Sequence, residues 1–206
     1  MREALSNMVS WSQRLACEVL HSGDLAVDLT AGKGRDTCAL AKAVGRAGQV
    51  VAFDLQAAAI EQTTDLLQNH EFAVNSWPAE QSLPKQPGIF LVQTCHSSLG
   101  KVLQHPAKAI IANLGYLPGG DPLLITRPDS TLAALQQSLR LLAPGGRLAV
   151  TVYPGHPGGE EEGAVVNSFF GHLPSIHWQV LSLRVDNCNE APSLLVAERI
   201  AVAALR

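Results

Sequence analysis

Short apolar runs that read as β-strands alternate along this chain with segments whose apolar residues recur every three or four positions. The strand-like runs are Leu25–Leu29, Gln49–Asp54, Ile89–Thr94, Ala109–Asn113, Arg147–Tyr153, Trp178–Val185 and Ser193–Val202. Helical spacing occupies Ser6–Leu20, Arg35–Val44, Ala57–Gln68 and Thr131–Leu142. Parallel neighbours need a crossover, and a helix is the usual one. The alternation therefore predicts an α/β fold, a seven-stranded, mostly parallel sheet with helices on both faces. The last two strands follow the segment Glu160–Leu173 and are separated only by Asp186–Pro192, which suits an antiparallel hairpin at one edge. Pro78–Gly88 reads as a loop or insertion.

No repeat or linker divides the 206 residues, so they are expected to form one domain. With 47% hydrophobic and 16% charged residues the chain is not of the disordered class. Glu3, Gln13, Arg14 and Glu18 interrupt the first apolar segment, which argues against a signal peptide, and no run approaches the roughly 18 apolar residues of a membrane span. A cytoplasmic location is expected. Cys17, Cys38, Cys95 and Cys188 lie far apart without metal-ligand spacing, so neither a disulfide framework nor a zinc site is expected. The net charge of -3 lacks the basic excess of nonspecific nucleic-acid binders. An RNA substrate needs only a local basic surface, however, and Lys33, Arg35, Lys101, Lys108 and Arg127 fall near the segments of interest.

The stretch from Ala26 to Thr37 runs from an apolar strand through Gly32-Lys33-Gly34 into a helix. In such sheets a ligand sits beyond the C-terminal strand ends, where glycine lets backbone approach and a helix N-terminus offers free N–H groups. The third glycine of a dinucleotide fingerprint would fall at Thr37, which weakens a pyrophosphate reading. Asp28 at the strand end instead favours a cationic or hydroxylated group, such as the methionine end of S-adenosylmethionine. Asp54 ends the second strand some 20 residues after the glycine turn, where a carboxylate can accept both ribose hydroxyls. Together the two acids and the glycines point to an adenosyl ligand.

After the fourth strand come Asn113-Leu114-Gly115-Tyr116-Leu117-Pro118-Gly119-Gly120-Asp121. Methylating an amine requires its lone pair to lie in line with the methyl group. An Asn oxygen and nearby carbonyls can hold the amine N–H groups to aim it, and an aromatic ring can flank a base or the developing cation.

These residues, with Phe53-Asp54-Leu55-Gln56, Ile125-Thr126-Arg127-Pro128-Asp129-Ser130-Thr131 and Tyr153-Pro154-Gly155-His156, resemble a family of class I S-adenosylmethionine-dependent methyltransferases. The family, once grouped as rRNA methylases, is now assigned as tRNA 5-(aminomethyl)-2-thiouridine methyltransferases (MnmM). The resemblance runs from the first helix to the last strand. It implies a Rossmann-like methyltransferase that methylates the exocyclic amine of 5-aminomethyl-2-thiouridine at the tRNA wobble position. It further implies that Asp28, Thr30, Gly32, Lys33 and Gly34 cradle the methionine part, that Asp54 and Gln56 hold the ribose, and that Cys95 and His96 border the adenine. Asn113, Tyr116 and His156 are the expected catalytic residues, with His156 accepting a proton from the substrate amine or hydrogen-bonding it. Leu114, Gly115, Arg127 and Tyr153 meet the substrate, with tRNA as partner through its anticodon region and a homodimer as a further partner. The family has Asp-Ser-His-Glu after its third strand, whereas this chain has Thr94-Cys95-His96-Ser97 and loses both acids. Lys33 replaces a more usual Asn, and the stretch from Glu71 to Gly88 is longer than the family pattern.

Asp129 or Ser130 is expected to cap the helix after Arg127, and Glu160–Glu162 to form a solvated helix start. Competing readings are a methyltransferase acting on rRNA or a small molecule, a noncatalytic RNA-binding module of the same fold, and a nicotinamide dehydrogenase. Cofactor binding separates them.

Overall fold

Strands buried on both faces need apolar side chains at every position, and the central runs of this chain meet that demand. In β1 (Leu25–Asp28) and β2 (Gln49–Asp54), Ala26, Val27 and every residue from Val50 to Phe53 are wholly buried. Successive side chains alternate between two cores. Val27, Val51, Phe53 and Ile110 join one cluster, and Ala26, Val50, Ala52 and Ile111 join the other. The computed structural model describes residues 4–117, 119, 124–155, 157–188 and 190–201.

Helices cover both faces. α1 (Met8–Cys17), α2 (Arg35–Val44) and α3 (Ala57–Asn69) bury Met8, Leu40 and Leu67 against the second cluster. On the opposite face α4 (Leu99–Val102), α5 (Pro128–Leu141) and α6 (Gly159–Gly171) bury Leu99, Leu135 and Phe170 against the first. The remaining strands are β3 (Val74–Ser76), β4 (Gly88–Gln93), β5 (Ala107–Asn113), β6 (Leu142–Val152), β7 (Trp178–Leu183) and β8 (Ser193–Arg199). Their order in the sheet is β3-β4-β2-β1-β5-β6-β8-β7. The first six strands pair in parallel. β8 runs antiparallel between β6 and β7, which gives the expected edge hairpin.

Among the described residues the sheet has eight strands rather than seven. The extra one, β3, pairs Val74–Ser76 with Ile89–Leu91 at the edge. Its Val-Asn-Ser sequence is too short and too polar to register as an apolar run. β6 starts at Leu142, earlier than Arg147, because its register with β5 shifts between Ala107 and Ala109 and admits the Pro-Gly-Gly stretch. α5 begins at Pro128 with Arg127 in the cap position and no side-chain cap bond, so neither Asp129 nor Ser130 caps it. Proline suits the first helical position because its φ is preset and its missing N–H would have had no partner there.

β1 lies between β2 and β5, and the chain leaves it in opposite directions across the sheet. Such a reversal opens a crevice at the C-terminal ends of the two strands, where α/β sheets bind ligands.

Candidate active site

A cavity of about 1020 Å³ opens at that crevice. It gathers Thr30, Gly32 and Lys33 from the turn after β1, Asp54 and Gln56 from the end of β2, Cys95 and His96 after β4, and Asn113–Tyr116 after β5. Arg127 and Tyr153 complete the set of expected residues on its wall. These segments lie far apart in sequence, and the parallel topology alone brings them to one sheet edge.

The turn is held by its own polar groups. Gly32 and Gly34 have φ of +53° and +77°, a region that other residues enter at a steric cost. A Cβ at Gly34 would also come within 2.8 Å of Thr63 Cα, so α3 packs against bare backbone there. The Asp54 carboxylate accepts from Gly32 N and Gln56 N, both at 2.9 Å, and so fixes the two turns to each other.

Two expected contact residues have other positions. Asp28 is wholly buried, does not line the cavity, and accepts from Thr30 N at 3.0 Å and Thr37 Oγ1 at 2.6 Å. It shapes the turn from beneath, because it shares the face of β1 that packs on α2. Gly34 likewise stays off the cavity wall and serves helix packing. His156 lies outside the described residues, as do Pro118, Gly120 and Asp121.

Asn113 is held through both its backbone and its side chain. Its backbone N–H donates to Thr30 Oγ1 at 2.8 Å, and its side-chain Nδ2 donates to Asp36 Oδ2. Asp36 also accepts from Gln13 Nε2 at 2.6 Å. The Asn113 Oδ1 is buried with no hydrogen-bond partner among the described residues. Leaving a buried acceptor unpaired costs about 1–3 kcal/mol, a cost that a ligand N–H would remove.

The loop after Asn113 returns on itself. Gly115 O accepts from Thr126 N at 2.8 Å, Gly115 N donates to Thr126 Oγ1 at 2.7 Å, and Tyr116 bridges Ile125. Glu162, only 1% exposed, accepts from Thr126 Oγ1 and Thr131 Oγ1, both at 2.6 Å. The expected solvated helix start therefore holds for Glu160 and Glu161, which are exposed, but not for Glu162. Tyr116 is 53% exposed at the cavity rim, with Lys33, Arg35 and Arg127 also exposed on its wall.

The electrostatics centre on carboxylates. Burial, then the nearby Asp36, pushes the Asp28 carboxyl up to about 7. Burial also raises the Asp36 carboxyl, against the lowering effect of its bonds from Gln13 and Asn113. Tyr153 is raised, first by burial and then by Asp36. His96 is lowered, chiefly by burial, against the raising effect of a backbone hydrogen bond with Leu29. Asp36 and Gln13 escaped the sequence reading. Asp36 looks like an ordinary acid in a first helical turn, and its contact with Asn113 spans the whole Rossmann half.

Comparison with known proteins agrees with this geometry. A tRNA (mnm(5)s(2)U34)-methyltransferase, chloroplastic, of Arabidopsis thaliana is 39% identical over 91% of this chain, and the chain spans 65% of that relative's length. A crystal structure described as a "putative rRNA-methylase" from Clostridium thermocellum has a TM-score of 0.84 at 32% identity, covering 97% of this chain and 100% of that one. A "putative methyltransferase" from Streptococcus mutans, solved in complex with SAH, has a TM-score of 0.79 at 29% identity, covering 97% and 100%. The fold is thus that of class I Rossmann-like methyltransferases. Residues 50–199 match the family model described as "Putative rRNA methylase", and with that match this chain, glycine turn, Asn113 loop and all, belongs to that family.

Proposed function

We propose that this chain is an S-adenosylmethionine-dependent methyltransferase that adds one methyl group to the exocyclic amine of 5-aminomethyl-2-thiouridine at the tRNA wobble position. The anticodon region of the tRNA would lie against the cavity mouth. The observation that carries the reading is the meeting, in one cavity, of the glycine turn after β1, the carboxylate ending β2 and the Asn113 amide ending β5. The activity named for the Arabidopsis relative and the SAH bound to the Streptococcus mutans protein support it.

The residues present fit this cofactor. Each Asp54 oxygen accepts one backbone N–H and keeps a further lone-pair direction for a ribose hydroxyl. Leu55 beside it is 54% exposed and offers an apolar surface for a purine. When bound, S-adenosylmethionine supplies a methyl group on a positively charged sulfur. The chain's own share is to bind, aim and exclude water. Asn113 Oδ1 would accept an N–H of the amine, which turns the lone pair outward, while the Tyr116 ring walls the pocket. An ammonium has no lone pair, so the amine must react neutral, and His156 is the proposed acceptor of its proton. A cytoplasmic setting is part of the same proposal.

The test is incubation of the purified protein with labelled S-adenosylmethionine and tRNA lacking this methylation, followed by nucleoside mass spectrometry. Conversion of 5-aminomethyl-2-thiouridine to its methylaminomethyl form is expected. Tight cofactor binding by calorimetry without conversion would move the acceptor to rRNA or a small molecule. Absence of cofactor binding would leave a noncatalytic module.

A further inference from the structure

A primary amide presents a donor on one side and an acceptor on the other, and which side faces a substrate decides whether it helps or blocks. At Asn113 the neighbours impose the choice. Asp36, 5% exposed, receives Gln13 Nε2 on Oδ1 at 2.6 Å and Asn113 Nδ2 on Oδ2. Both Asp36 oxygens act as acceptors in this arrangement, so a turned Asn113 would set oxygen against oxygen. The Asn113 Oδ1 that results is buried and has no partner among the described residues.

We propose that Asp36, itself held by Gln13 from α1, is a positioning residue that fixes the Asn113 amide with its oxygen toward the acceptor amine. The inference rests on the amine-methylation reading above and adds a device to it. With the oxygen forward, Asn113 takes an N–H of the amine and leaves the lone pair for attack. With the nitrogen forward, it would donate into that lone pair and block the nucleophile. Orientation therefore acts on turnover and not on cofactor binding. It also makes the site selective for an acceptor that carries an N–H.

Asp36→Asn supplies the test, because the new amide keeps the bond from Gln13 through its oxygen and turns its nitrogen toward residue 113. Asn113 must then reverse to accept it. Turnover on tRNA is expected to fall by about 100-fold, the scale of loss that follows misplaced reacting groups, with cofactor affinity kept within about twofold. In the double variant Asp36→Asn with Asn113→Asp, residue 113 takes the new donor on one oxygen and offers the other to the amine. It is expected to recover at least about tenfold over the single variant, as a restored positioned acceptor should. Turnover of Asp36→Asn at the wild-type level, or a double variant no faster than the single one, would overturn the proposal.

A second readout needs no turnover. The side-chain amide resonance of Asn113, assigned by its loss in Asn113→Asp, is expected to shift and lose exchange protection in Asp36→Asn. An unmoved resonance overturns the proposal. A moved resonance in a protein that methylates no tRNA would sink the functional reading and leave the orientation standing.

Discussion

Two carboxylates, Asp28 and Asp36, sit where β1 meets α2, one wholly buried and the other nearly so. Burial there disfavours charge, and Asp36 makes ionisation of Asp28 harder still. In the folded chain the Asp28 carboxyl titrates at about 7, against about 3.9 when unfolded. Between those values the folded chain holds a proton that the unfolded chain has released. The stability this group contributes is thus complete below about pH 4 and is lost as pH rises through 7. Asp28→Asn keeps an acceptor for Thr30 N and offers a donor to Thr37 Oγ1, so it should fold. Urea midpoints measured from pH 5 to pH 8 should fall more steeply for wild type than for Asp28→Asn, and equal slopes would contradict the assignment. The acid at Asp28 was legible in the sequence, but its place beneath the turn was not. A strand-end carboxylate can face the ligand or the helix behind it, and only the packing of α2 decides.

Strands of continuous apolar character, such as Val50–Phe53 and Ile89–Val92, were legible because a sheet buried on both faces demands them. Polar β3 was not, since its partner β4 and not its own side chains makes it a strand. Glu162 shows the same limit at a helix start. In sequence it belongs to an acidic run, yet it faces the hydroxyls that end the Asn113 loop and begin α5. Thr126 in turn receives Gly115 N, so the carboxylate fixes this loop through one intermediary. Glu162→Ala would leave two threonine hydroxyls without their acceptor in a buried setting, at a cost of about 1–3 kcal/mol. The substitution should lower the thermal midpoint and raise the KM for tRNA several-fold, while cofactor affinity, which depends on the β1 and β2 turns, stays near wild type. An equal loss of both affinities would assign Glu162 to the whole cavity and not to the loop.

At the scale of the whole molecule, a net charge of -3 must be reconciled with the polyanionic substrate proposed above. The reconciliation lies in placement. Lys33, Arg35 and Arg127 are exposed on the cavity wall, whereas Asp28 and Glu162 are buried off it and Asp36, on the wall, is only 5% exposed. Three cations engaging single-stranded phosphates would release counterions with a slope of log K against log salt of about -2, since each contributes about 0.7. A steeper slope would mean that further basic groups meet the tRNA beyond the cavity. Removing Lys33, Arg35 or Arg127 singly to Ala should each flatten the slope by about 0.7 and weaken binding alike for tRNAs of different sequence, because phosphate contacts carry no base identity. Filter binding across a salt series measures both effects. A variant that changed preference among tRNAs without changing the slope would place that residue on a base instead. The exposed Tyr116 ring at the same rim is the group from which such base discrimination is expected, through stacking that salt does not screen.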